Sequence, residues 1–191
     1  MNLLRLLTLS VAVFGLVVCS TAGEEKKPEA KMLKEGDMAP DVDLAATQID
    51  KVLPGKKGAK TMSLKDFQGA NGKNVVLFFY PKAMTKGCTI ESCGFRDKVE
   101  EFAKLDTVVI GISTDTLEDQ AKFTEKESLK TPLFADPDKK VTTAFGALNT
   151  TGLAKRYTFV IDKKGVVRKI YTMVTPAKHP DEVLTFIKEL K

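Results

Sequence analysis

The chain has 191 residues, which suits one domain with a substantial core and is short for two large ones. At 43% hydrophobic and 29% charged residues it is not collagen-like, coiled-coil or wholly disordered. The formal charge of +5 arises from 30 Lys and Arg interspersed with 25 Asp and Glu, without a long basic run, which argues against nucleic acid as a partner.

Leu6 to Val18 is an uncharged apolar stretch behind Arg5, followed by the small residues Ser20, Thr21 and Ala22. Thirteen residues fall short of the roughly 20 that a membrane-spanning helix needs. Residues 1–22 therefore read as a cleaved export signal, which places the mature protein in the periplasm or outside the cell. A lipid anchor on Cys19 is the alternative, although Val17 and Val18 suit a lipidation site poorly. In residues 23–37, nine of fifteen side chains are charged and no strand or helix period emerges, so this stretch reads as a solvated linker to a domain spanning 38–191.

Within the domain, Val75 to Tyr80 and Thr107 to Ile112 are continuous apolar runs, the pattern of strands covered on both faces. Tyr157 to Ile161 and Val166 to Tyr171 flank the turn Asp162-Lys163-Lys164-Gly165 and form a hairpin. Helices are expected over Cys88 to Lys104, Leu117 to Glu127, Lys139 to Phe145 and Pro180 to Leu190. This alternation, closed by a hairpin and a helix, predicts an α/β fold with a mixed sheet flanked by helices.

The chemistry concentrates after the first long strand, where sheets of this kind bind ligands. Cys88 falls at a strand-to-helix junction, where first-turn amides and the helix dipole favour negative charge and thus the nucleophilic thiolate. Pro81 fixes the backbone leaving the strand, and the Thr85 hydroxyl is placed to accept or donate a hydrogen bond near the sulfur or to cap the helix. Glu91 is expected in the first turn as a dipole or capping partner. His179, the only histidine, precedes Pro180-Asp181-Glu182 and marks the start of the last helix. Cys88 and Cys93 have no nearby partners of metal-ligand type, so neither a metal nor a cofactor is expected.

Pro81, Thr85 and Cys88 stand in a Pro-x-x-x-Thr-x-x-Cys spacing, and Cys88-Thr-x-Glu-x-Cys-Gly-Phe-Arg-Asp97 continues it. Together with Gly36 to Asp41, Leu64 to Phe67, Gly111 to Asp115 and Arg156 to Asp162, this resembles the peroxiredoxins, in particular the peroxiredoxin Q or bacterioferritin comigratory protein subfamily. The resemblance implies a thioredoxin-like fold and reduction of hydrogen peroxide and organic hydroperoxides. It implies Cys88 as the peroxide-reacting cysteine and Arg156 as the active-site arginine, with Cys88, Cys93, Thr85, Arg156 and Pro81 as the site. Without it, Arg156 reads as a surface charge at a strand start. The chain departs from the pattern at Lys86, where the family often has proline, in the long Gln48 to Thr61 connection and in the short Ala147 to Lys155 loop.

Five residues along a helix separate Cys93 from Cys88 by about 7.5 Å and about 140°. Disulfide geometry needs α-carbons about 4.4–6.8 Å apart, so an intact helix cannot close the pair. This suggests a cycle in which Cys88 becomes a sulfenic acid, the first turns unwind, and Cys93 condenses with it. A thioredoxin-like or other dithiol reductant then resets the pair, with a monomer as the working unit and a dimer as the alternative. A structural disulfide is the plainer reading of the two cysteines, worth only about 2 kcal/mol for so short a loop. Competing functions are an exported thiol-disulfide oxidoreductase of the same fold, a metallochaperone and a binding domain. The Cys-x-x-x-x-Cys spacing differs from the Cys-x-x-Cys of thioredoxin-type exchangers.

Overall fold

The structure, a computed structural model, describes residues 32–190. A five-stranded mixed sheet forms the centre, built from β3 (Asn74–Phe79), β4 (Thr107–Ser113), β5 (Leu133–Ala135), β6 (Thr158–Ile161) and β7 (Val167–Tyr171) in the spatial order β5-β4-β3-β6-β7. β3 runs parallel to β4 and antiparallel to β6, pairing Leu77 with Ile110 on one side and with Phe159 on the other. A central strand covered on both faces must be apolar throughout, and Val75 to Tyr80 are all buried.

Successive side chains of a strand point to opposite faces, and β3 divides its residues accordingly between two cores. Val76, Phe78 and Tyr80 pack with Phe95 and Phe102 of α2 (Lys86–Lys104), Phe123 of α3 (Leu117–Lys126) and Val183 and Ile187 of α5 (His179–Glu189). Val75, Leu77 and Phe79 face the other way, toward Phe134, Phe145, Phe159 and the N-terminal segments of the domain. A two-stranded sheet, β1 (Asp43–Ala45) with β2 (Thr61–Ser63), edges that second face. The long connection between them winds into α1 (Ile49–Val52) and a short 3₁₀ turn, Pro54–Lys56. α4 (Lys140–Ala144) precedes β6.

The two long strands, the hairpin and the four helices expected from sequence are present, each end shifted by at most two residues. β1, β2, β5 and α1 carry only three or four residues each, too few to show a hydrophobic period. Contacts with the domain begin before Met38: Gly36 N donates to Val167 O at 2.7 Å and Val167 N to Asp37 O at 2.9 Å. Gly94 lets α2 approach α5, since a Cβ there would stand 2.8 Å from Cγ of Pro180.

Candidate active site

β3 delivers the chain to a tight loop that ends at the N-terminus of α2. Asp115 anchors this loop from the end of β4: Ala83 N donates to its Oδ2 at 2.8 Å, and the Ser113 hydroxyl donates to the same oxygen at 2.7 Å. Beneath it, buried Tyr80 donates its hydroxyl to Gln120 Oε1, while Gln120 Nε2 donates to Ser113 Oγ at 2.8 Å and Phe134 O at 2.9 Å. Burial pushes the Tyr80 phenol well above its ordinary range, so it stays a neutral donor. Half-buried Pro81 opens the loop and Met84 turns it with a left-handed φ of 62°.

Thr85 is the N-cap of α2, in extended conformation, but its side chain caps nothing. Its hydroxyl donates back to Lys82 O at 2.9 Å and makes no bond to the sulfur. Exposed Lys86, the residue that departs from the family pattern, is the first residue of the helix. Cys88 is therefore the third helical residue rather than the first, within the turn whose amides have no intrahelical acceptor. Its side chain is buried, and Arg156 Nη2 donates to the sulfur at 3.2 Å.

Arg156 reaches the site from the segment before β6. A second nitrogen of its guanidinium, Nη1, donates to Glu91 Oε2 in an ion pair. Glu91 corrects a sequence expectation. Because α2 begins at Lys86, Glu91 lies in the second turn, the first turn holds no acidic residue, and its carboxylate is fully buried instead of capping the helix. Burial pushes its pKa up to about 7, an effect Arg156 only partly offsets, and Oε1 is buried without a partner. Residues three apart on a helix share a face, so an inward Cys88 entails an inward Glu91, the signal that was open in the sequence.

The structure thus brings Arg156 to Cys88 and adds Glu91 to that pair, while Pro81 and Thr85 lie in the preceding loop that Asp115 anchors. Cys93 is not with them. It sits farther along the unbroken helix, half-buried beside the end of α3, and both cysteines are free thiols, so the pair is not a structural disulfide in this state. His179 is the first residue of α5, as expected, and is fully buried with Nε2 2.8 Å from Thr158 Oγ1 and its ring edge-on to Phe95 and Tyr171.

Residues 36–170 match the AhpC/TSA family. The chain belongs to this family. It is 37% identical to peroxiredoxin Bcp of Escherichia coli strain K12 over 164 residues, covering 82% of this chain and 97% of that protein. It is 39% identical to peroxiredoxin Bcp of Bacillus subtilis strain 168 over 162 residues, covering 81% and 95% respectively. Among solved structures, peroxidoxin BcpB of Mycobacterium tuberculosis superposes with a TM-score of 0.70 at 34% identity, over 83% of this chain and 99% of that one. The fold is accordingly the thioredoxin-like α/β fold of peroxiredoxins, and the protein is a peroxiredoxin enzyme of the Bcp and peroxiredoxin Q branch, a thiol-dependent peroxidase.

The same relatives correct the expected location. The two Bcp matches cover 97% and 95% of those proteins, leaving no room in them for a leader of the kind read from residues 1–22. The exported, periplasmic or extracellular assignment is overturned on this ground, and the anchor through Cys19 with it. Residues 1–31 lie outside the described residues. Among the described residues, no helix is long and apolar enough to cross a membrane.

Proposed function

We propose that this peroxiredoxin reduces hydrogen peroxide and organic hydroperoxides with Cys88 as nucleophile and Cys93 as resolving cysteine. The observation that carries the reading is the Arg156 guanidinium 3.2 Å from a buried sulfur at the start of α2. A guanidinium and free first-turn amides supply hydrogen-bond donors where charge develops in the transition state. The Cys88 thiolate attacks one peroxide oxygen. An S–O bond forms, the O–O bond breaks, and the departing alkoxide or hydroxide takes a proton to leave as alcohol or water.

Glu91 acts through Arg156, holding Nη1 of the guanidinium while Nη2 is directed at the sulfur. Thr85 has a role at the mouth of the site through its exposed oxygen, and Pro81 shapes the loop. The second step joins the two sulfurs: the Cys93 thiol displaces the sulfenic oxygen of Cys88, which leaves as water. Since α2 is continuous from Lys86 to Lys104, this step requires its first turns to unwind. A thioredoxin-like or other dithiol reductant then returns two electrons and two protons. We take a monomer as the working unit, with a dimer as the alternative.

The test is turnover of hydrogen peroxide and of an aromatic hydroperoxide with a dithiol reductant, comparing wild type with Cys88→Ser. Turnover that disappears in the variant supports the reading, and turnover at the wild-type rate removes Cys88 from the chemistry.

A further inference from the structure

The C-terminus of α3 packs against α2 beside the second cysteine. Glu127 is the C-cap of α3, and Ser128 after it takes a left-handed φ of 50°, so the chain turns sharply away at this point. The last carbonyls of a helix lack intrahelical donors and carry the negative end of its dipole. Arg96 of α2 answers both conditions, with Nη1 donating to Glu127 O at 2.6 Å. The carboxylate of the same Glu127 accepts from the Cys93 thiol, Sγ to Oε2 at 3.9 Å. Arg96 follows Cys93 by three residues, on the same face one turn on. A single residue at the end of α3 therefore holds α2 at two adjacent points, one strong and charged, the other weak.

Oxidation acts differently on the two ends of this part of α2. The N-terminal end is tied to Arg156 through the Cys88 sulfur and through Glu91. Conversion of the thiolate to a sulfenic acid removes the negative charge on the sulfur and weakens that tie. The bond from Arg96 to a backbone carbonyl contains no oxidisable group and keeps its strength. Unwinding then proceeds from the N-terminus and meets a fixed point just beyond Cys93.

We infer that Glu127 is a positioning residue for disulfide formation: its backbone carbonyl anchors Arg96 and fixes the last wound turn of α2, while its carboxylate docks Cys93 as a thiol until the preceding turns open. This rests on the reading of Cys93 as the resolving cysteine. The charges acting on the Cys93 sulfur are Arg96 and Asp97 from α2 and Glu127 from the end of α3, of which Glu127 touches it. Burial pushes the Cys93 thiol up, Arg96 opposes that, and Glu127 and Asp97 add to it. A docked thiol does not compete with Cys88 for peroxide, since the thiolate is the reactive form. Released from the carboxylate, Cys93 ionises more readily and attacks the Cys88 sulfenic acid. The S–S bond forms, the S–O bond breaks, and the hydroxide leaves as water with the proton Cys93 gave up.

Two measurements test this. The first is iodoacetamide alkylation of Cys93 in reduced Cys88→Ser protein across pH 6–10, read by peptide mass, with and without Glu127→Gln. Removing the carboxylate charge while keeping its shape should speed alkylation about threefold at neutral pH and move the profile to lower pH, since the rate follows the thiolate fraction. Equal rates and profiles overturn the docking, whatever the fate of the peroxidase reading. The second is hydrogen exchange of the disulfide form. Fast exchange should stop near Arg96 in wild type and extend toward Phe102 in Arg96→Met, with Arg96→Lys in between because its ammonium still reaches a carbonyl. The same boundary in all three overturns the anchor. Failure of wild type to form the Cys88 to Cys93 disulfide contradicts the resolving role itself, and with it the role of Glu127 in resolution.

Discussion

Arg156 donates from Nη2 to the Cys88 sulfur at 3.2 Å and from Nη1 to buried Glu91 in an ion pair. The guanidinium is planar with its donors in a fixed fork, so a partner on one edge sets the direction of the other. Glu91 costs desolvation to bury, and in this arrangement that cost serves to aim a cation at the sulfur. Loss of a comparable transition-state contact lowers rates by about 10² to 10³. Arg156→Ala should slow thiolate oxidation by this order in stopped-flow experiments, and Arg156→Lys should recover only part of it because an ammonium lacks the fork. A rate within twofold of wild type for Arg156→Ala would remove the arginine from the reaction.

Glu91 also gives the helix a pH dependence whose sign is fixed by its environment. Its pKa in the folded protein is raised from an ordinary 4.5 to about 7, so the folded state binds the proton more tightly than the open one. The stabilisation is complete below the ordinary value and is lost as pH rises toward 7. Hydrogen exchange at the start of α2, corrected for intrinsic rates, should show easier opening as pH climbs through this window. Glu91→Gln should flatten the dependence, and an unchanged slope in that variant would assign it to another group. His179, whose pKa is lowered by burial, works in the opposite sense. Its buried neutral ring disfavours the folded state once pH falls below its ordinary 6.5.

Cys93→Ser should react once with peroxide and then stall. Without the second thiol the Cys88 sulfenic acid has no partner in the helix, and further peroxide carries it to the sulfinic acid. Mass spectrometry separates the two outcomes by one oxygen. Recovery of full turnover with a dithiol alone would show that an external thiol replaces Cys93 efficiently.

The close approach of α2 and α5 at Gly94 makes a stability prediction. A methyl group there meets the rigid ring of Pro180 with Cβ to Cγ at 2.8 Å. Overpacking of this kind costs about 1–3 kcal/mol, against about 1 kcal/mol gained from the better helix propensity of alanine. Gly94→Ala should therefore lower unfolding stability in urea by about 1 kcal/mol. Increased stability would mean that α5 yields at this point.

How much of this was legible in the sequence depended on the range of the interactions. The runs around Leu77 and Ile110 declare themselves because a strand buried on both faces needs apolar residues throughout. The hairpin was legible from its turn, where the Asp162 carboxylate accepts from Lys164 N and Val166 N, both at 2.9 Å. β5 was not, because three buried residues carry no period, and its place beside β4 depends on tertiary pairing. Pro81, Thr85 and Cys88 lie in one loop and read as a unit. Arg156, 68 residues from Cys88, was reached only through the family resemblance. The burial of Glu91 is not legible because the sequence pattern places the helix start at Cys88, two residues past Lys86, and the anchoring role of Asp115 is not legible because its bond to Ala83 N joins loops beyond the ends of two different strands. The location was misread because an apolar leader-like stretch is a local signal, and the family placement opposed it.

The most direct test of the account is a single turnover: fully reduced protein mixed anaerobically with one equivalent of hydrogen peroxide, quenched by alkylation and mapped by peptide mass. The account predicts loss of both the Cys88 and Cys93 thiols into one intramolecular disulfide, with Cys88→Ser leaving peroxide and Cys93 untouched. Peroxide consumption by Cys88→Ser at the wild-type rate would contradict it.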